Sequence, residues 1–195
     1  VAGPFAILDV AYAAKEKVFA SSPSTNLPAL SLYWSPNNRP AQGQLAAGNI
    51  GTSFFTVNGT AASLYLLGAE NTDSDEYDMP VVAHEIGHYM QYAVSRDDSE
   101  GGQHSGSDKL DMRIAFSEGW GNAWASMVLN NPIYHDSRDA GQQSGFSYSL
   151  ATAPPVGDRG WFNENTVGYL LWQSHQDTGI GFTPIYSALT SMRNS

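Results

Sequence analysis

His84 and His88, four residues apart with Glu85 directly after the first, are the residues whose types and spacing point most directly to chemistry. In a helix, side chains four apart lie one turn apart on the same face, so both imidazoles can reach a single cation. Glu85 lies about 100° further round. A carboxylate there stands beside a metal-bound water without ligating the ion and can take a proton from it. Zinc lowers the pKa of such a water to about 7, which makes hydroxide accessible at neutral pH. With the five histidines and seven glutamates of this chain, H-E-x-x-H arises by chance only about 0.005 times per chain. The alternative is a helix face with one core histidine and one solvated histidine.

A catalytic zinc usually keeps three protein ligands and one open position. The chain has no cysteine, so thiolate ligands and disulfides are excluded and the third donor must be histidine or carboxylate. The extended pattern H-E-x-x-H-x-x-G-x-x-H fails, because Gln91 and Val94 stand where it requires Gly and His. The next candidate is Glu118, in the run Ala115-Phe116-Ser117-Glu118-Gly119-Trp120-Gly121-Asn122-Ala123-Trp124. Phe116, Trp120 and Trp124 give that segment an apolar stripe, and a carboxylate among aromatics is costly unless paired or metal-bound. Glu100 and Asp111 are carboxylate alternatives in or beside the Gly/Ser-rich stretch and are less well fixed.

These residues need elements to position them. Periodicity predicts a helix from about Pro4 to Ala20 and strands at Leu30–Trp34, Ser53–Val57 and Ser63–Leu67. The last two are joined across Asn58-Gly59-Thr60, a hairpin signal. An acidic loop, Asp73 to Asp78, precedes a long helix from about Met79 to Ser95, in which Val81, Val82 and Ile86 pack inward. A Gly/Ser-rich loop over Ser99–Ser107 leads to a helix over Ile114–Leu129. Asn131–Gly160 reads as irregular, followed by helices over Glu164–His175 and Pro184–Met192. This order is α+β.

The length of 195 residues and a 42% hydrophobic content suit one catalytic domain, with an N-terminal lobe over 1–97 and a mainly helical lobe over 98–195. The opening Val1-Ala2-Gly3-Pro4 runs almost directly into a helix, the expectation being a mature piece of a longer precursor. The net charge of −10 repels nucleic acid and anionic membrane surfaces, and no apolar run approaches a membrane span. A lysine-poor acidic surface is compatible with secretion.

The chain resembles the gluzincin metallopeptidases, which pair H-E-x-x-H with a downstream glutamate, and among them the fungalysins more closely than thermolysin. Tyr77-Asp78 stands where fungalysins carry an aromatic-Asp pair, VVAHEIGH is the motif, and Glu118-Gly119-Trp120-Gly121-Asn122 stands where they carry E-G-W-S-D. The likeness covers roughly 74–127. It implies a zincin-like fold with one catalytic zinc in a cleft between two lobes. His84, His88 and Glu118 would be the metal ligands and Glu85 the general base. It also implies peptide or protein substrates and a secreted or extracytoplasmic protein of bacterial or fungal type.

Two positions depart from that pattern. The family's aspartate, which accepts a hydrogen bond from a ligating histidine, is Asn122 here. Its amide oxygen can accept the same bond without supplying charge, so zinc would be held about 10-fold more weakly. The family's oxyanion-stabilising histidine corresponds to Asn165, and the resemblance offers Tyr169, one turn on, as a substitute donor. His104, His135 and His175 read as loop or surface residues.

Calcium remains open as a second cation: the acidic loop offers hard oxygen ligands without EF-hand spacing, and solvated carboxylates near a helix N-terminus explain it as well. Peptide-bond hydrolysis is the function expected. A zincin-fold binding domain without activity, or a zinc hydrolase acting on a non-peptide amide or ester, would use the same residues.

Overall fold

The computed structural model describes residues 2–194, and their order of elements is α+β. Helix α1 (Gly3–Ser21) starts with Pro4 in its first turn, where a missing N–H costs nothing. Its buried residues Gly3, Ile7, Val10, Ala14 and Val18 recur every three or four positions, giving one stripe against the core.

Three strands follow: β1 (Leu30–Trp34), β2 (Phe54–Asn58) and β3 (Ala61–Leu66). They form a sheet of order β1-β3-β2, with β1 parallel and β2 antiparallel to β3. The β2–β3 hairpin turns through Gly59, whose φ of +61° lies where a side chain would be strained. Along β3, Ala62, Leu64 and Leu66 alternate inward and are buried, as a half-covered strand requires. β2 forms an edge, with no described strand on its far side.

Helix α2 (Met79–Val94) carries the H-E-x-x-H run and is buried nearly all round. Helix α3 (Met112–Leu129) packs against it and against α4 (Glu164–Gln176). The Asp111 side chain caps α3 by accepting from the Arg113 N–H, and Asn163 caps α4 by accepting from the Thr166 N–H. Val82, Ile86, Trp120 and Trp124 are core residues shared by α2 and α3, and α5 (Phe182–Ser191) adds Phe182, Tyr186 and Leu189.

A second, antiparallel sheet overturns the irregular reading of 131–160. It runs β4 (Gly68–Ala69), β5 (Asp73–Ser74), β6 (Ile133–Arg138), β7 (Ser144–Ser149). The β6–β7 ribbon pairs Ile133 with Ser149 through Arg138 with Ser144. β7 is rich in Ser and largely exposed, and β6 is mostly polar, so the apolar alternation that marks a strand is missing. Cross-strand stacking of Tyr134 on Tyr148, with centroids 5.3 Å apart, supplies what patterning does not. No helix among the described residues is long and apolar enough to cross a membrane.

Candidate metal centre

On α2 the one-turn spacing does what helical geometry allows. The Nε2 atoms of His84 and His88 are 3.0 Å apart, and Glu118 from α3 reaches both, at 3.2 Å from His84 and 3.6 Å from His88. A tetrahedral ion with N and O ligands at about 2.0–2.1 Å separates its donors by roughly 3.3–3.4 Å. Two imidazoles and a carboxylate at these separations can therefore hold one metal ion.

The approach of α3 depends on Gly121. A Cβ built there would lie 2.8 Å from Cε1 of His84, so any side chain at 121 would displace the ring. Gly119 serves the other flank, where a Cβ would meet Val167 Cβ at 2.5 Å and the Glu164 carbonyl at 2.7 Å on α4.

Both imidazoles are oriented from behind. His84 Nδ1 lies 2.9 Å from Asn122 Oδ1, an acceptor, so Nδ1 carries the proton and Nε2 keeps its lone pair toward the centre. His88 Nδ1 lies 3.2 Å from the Ser117 hydroxyl, which itself donates to Asp97 Oδ2 at 3.2 Å. Ser117 then accepts from His88 Nδ1–H, and Asp97 supplies through it the negative charge that Asn122 lacks. Neither Ser117 nor Asp97 carried a signal in the sequence beyond adjacency to Glu118 and to the end of α2.

Glu85 is buried on the β2 side of the histidines and receives a hydrogen bond from the Phe55 backbone on that edge strand. Burial pushes its carboxyl up to about 7, against the pull of His84 and with a further push from Glu118. Burial alone would raise Glu118 as well, but the imidazoles of His104, His84 and His88 around it hold it well below the carboxylate range.

His104 lies in the exposed Gly/Ser loop, as the sequence suggests, but its side chain turns to the centre. The Gly/Ser loop folds back because the Gly106 carbonyl accepts from Asn163 Nδ2 at 2.8 Å and from Asn165 Nδ2 at 3.0 Å. That places His104 Nε2 3.3 Å from Glu118 Oε2 and His104 Nδ1 2.8 Å from Glu164 Oε2. The carboxylates of Glu118 and then Glu164 push the imidazole up to about 10, so it is a cation at neutral pH.

Above the histidines opens a cavity of about 520 Å³, lined among others by His84, His104, Asn122, Tyr134, Tyr148 and Asn165. Burial raises both tyrosine hydroxyls, so each stays a protonated donor.

Compared with protein-family models, curated proteins and solved structures, the chain matches none. Its residues must carry the functional reading.

Tyr169 does not line this cavity. It lies four residues down α4 from Asn165, about 6 Å further along the axis, and the ribbon tyrosines occupy the wall instead. Glu100 and Asp111 bond Arg113 at the exposed start of α3 and take no part. His135 approaches Asp78 at 3.4 Å, and His175 faces Lys17 and Phe182 on the far side of the core. Asp78 is buried and accepts from the Ser137 N–H at 2.7 Å and from its hydroxyl, tying the start of α2 to β6. Glu76 accepts from Trp34 Nε1 at 3.1 Å. Two members of the acidic loop are thus satisfied within the protein, while Asp73 and Asp75 group with Asp136 of β6.

Proposed function

We propose that the chain is a zinc-dependent metallopeptidase domain of gluzincin type with a zincin-like fold. His84, His88 and Glu118 hold the metal, and Glu85 is the general base. The observation that supports this most is the convergence of Glu118 Oε2 on both Nε2 atoms, with the Glu85 carboxylate buried alongside. The donors are nitrogen and oxygen only, and each ligating imidazole is oriented through its other nitrogen, as a catalytic zinc site needs.

Zinc held by His84, His88 and Glu118 would act as a Lewis acid for the scissile carbonyl and would acidify the attacking water to about pKa 7. Glu85 accepts the water proton on its carboxylate and returns it to the leaving amine nitrogen. His104 and the ribbon tyrosines offer donors to an oxyanion in the cavity.

A peptide is favoured over other amides and esters by the position of β2. Its outer edge faces no described strand and lies beside Glu85, so an extended chain can pair there and present successive carbonyls to the base. Glu85→Gln tests the assignment. The zinc-loaded variant should keep its metal by elemental analysis and lose about 10²–10⁴-fold in cleavage of a peptide library. Turnover retained at the parent level rejects the assignment.

A further inference from the structure

The Asp73, Asp75 and Asp136 carboxylates lie on three separate elements. Asp73 is on β5, Asp75 on the turn that follows, and Asp136 on β6. One oxygen from each lies within 4.8 Å of the others. Strand pairing explains the meeting: Asp73 is in register with Arg138, and Asp136 lies two residues before Arg138, on the same face of β6.

Arg138 covers one side of this group. Its Nη2 is 2.9 Å from Asp136 Oδ2, and its Nε is 3.2 Å from Asp136 Oδ1 and 3.6 Å from Asp73 Oδ2. The Ser53 hydroxyl donates to Asp75 Oδ2. What remains is unusual for an interior. Asp73 and Asp75 are 7% and 3% exposed, yet Oδ1 of each accepts no hydrogen bond. A buried carboxylate oxygen without a partner is costly, and here two occur side by side. One guanidinium does not neutralise three carboxylates, and Asp78 nearby adds a further negative field.

We propose that Asp73, Asp75 and Asp136 bind a calcium ion, at a site separate from the histidine centre. The ligand chemistry is carboxylate oxygen alone, which selects a hard cation over zinc. The donors come from a short strand, a turn and a ribbon, and such a set suits calcium's tolerant coordination better than the strict octahedron of magnesium. The ion takes up the orphaned Oδ1 atoms of Asp73 and Asp75. It also clamps the β6–β7 ribbon, which bears Tyr134 and Tyr148, to the segment leading into α2. Without the ion, burial pushes Asp75 up to about 8 and Asp73 to about 6, so Asp75 holds a proton at neutral pH.

The test is calorimetric titration of the full chain with calcium, zinc being kept at the histidine centre, together with thermal melts. Parent protein is expected to bind one calcium, with a Kd of about 10⁻⁴–10⁻³ M or tighter, and to melt several degrees higher in its presence. Asp75→Asn should weaken binding at least 10-fold and remove the thermal response. That variant also relieves the crowding of carboxylates, so it should fold without calcium; Asp73→Asn provides a second test. Asp9→Asn, on the exposed face of α1, should leave the response unchanged. No heat and no shift at about 10 mM calcium overturns the proposal. So does an equal response to magnesium, or calcium binding that survives both Asp75→Asn and Asp73→Asn. The readout is independent of peptide cleavage, so a failed hydrolysis assay leaves it standing, and the reverse holds too.

Discussion

The molecule gathers acidic side chains in two places and treats them in opposite ways. At the histidine centre, Glu118 is held between two imidazoles on helix α2 and a third from the loop before α3, and the α2 nitrogens facing away from it are themselves bonded. At the β5–β6 junction, three aspartates meet across short strands with one arginine between them and two oxygens without partners. The first has its donors and their supporting bonds in place, and the second leaves two oxygens unsatisfied. A helix can set ligand spacing by itself, whereas a junction of short strands relies on its ligand to finish the job.

Gly121→Ala should break this comparison most sharply. The new methyl would meet the His84 ring at 2.8 Å, and that ring is already fixed by Asn122. Overpacking of this kind costs about 1–3 kcal/mol, more than the ~1 kcal/mol that alanine gains over glycine in a helix. Chelator competition should show zinc affinity falling by an order of magnitude or more, while the calcium response of the β5–β6 junction is unchanged. Loss of both together would mean that the two regions are not independent.

The hydrogen bonds behind the histidines sharpen the contrast more gently. Asn122→Ala and Ser117→Ala should each lower zinc affinity about 10-fold with the fold intact. Asn122→Asp should raise it, by giving His84 a charge to match the one His88 receives from Asp97 through Ser117. A competition titration against a zinc dye reads all three. Equal affinities across the series would show that the imidazoles need no orientation from behind.

A last effect, confined to the β5–β6 junction, is on stability against pH in calcium-free buffer. Burial raises Asp75 from 3.8 to about 8, so the folded state binds a proton that the unfolded chain has released. This contribution is complete below about pH 4 and is lost as pH rises toward 8; Asp73, raised to about 6, acts with the same sign. The melting temperature of the parent should therefore fall more steeply between pH 5 and pH 8 than that of Asp75→Asn. Calcium should flatten the slope, because the ion favours the ionised carboxylates.

What could be read from the residues follows the same division. Helix α1, the strands flanking Gly59, helix α2 with its histidine pair, and the Glu118–Asn122 spacing on α3 all express local periodicity. They appear where sequence places them. The β6–β7 ribbon does not, because Ser and Gly dilute its alternation and its stability comes from stacked aromatics and the Asp78–Ser137 bonds. The contact of His104 with Glu118 was not legible because nothing local signals that Gly106 is bound by Asn163 and Asn165, more than fifty residues later. Asp136 was missed for the same reason, its partners being brought to it by strand register. Tyr169 shares a helix face with Asn165, but face alone does not specify depth along the axis.

Helix α3 lacks side chains on two flanks at the level of Glu118: Gly119 turns toward α4 and Gly121 toward His84, about 200° apart around the axis. Three helices therefore touch through bare backbone, with no hole that a larger residue could fill. The polar neighbours at 117 and 122 are where substitutions can change the orientation of the imidazoles without meeting a neighbouring helix. The dimensions of the grip are set by the backbone itself and lie beyond the reach of gradual substitution.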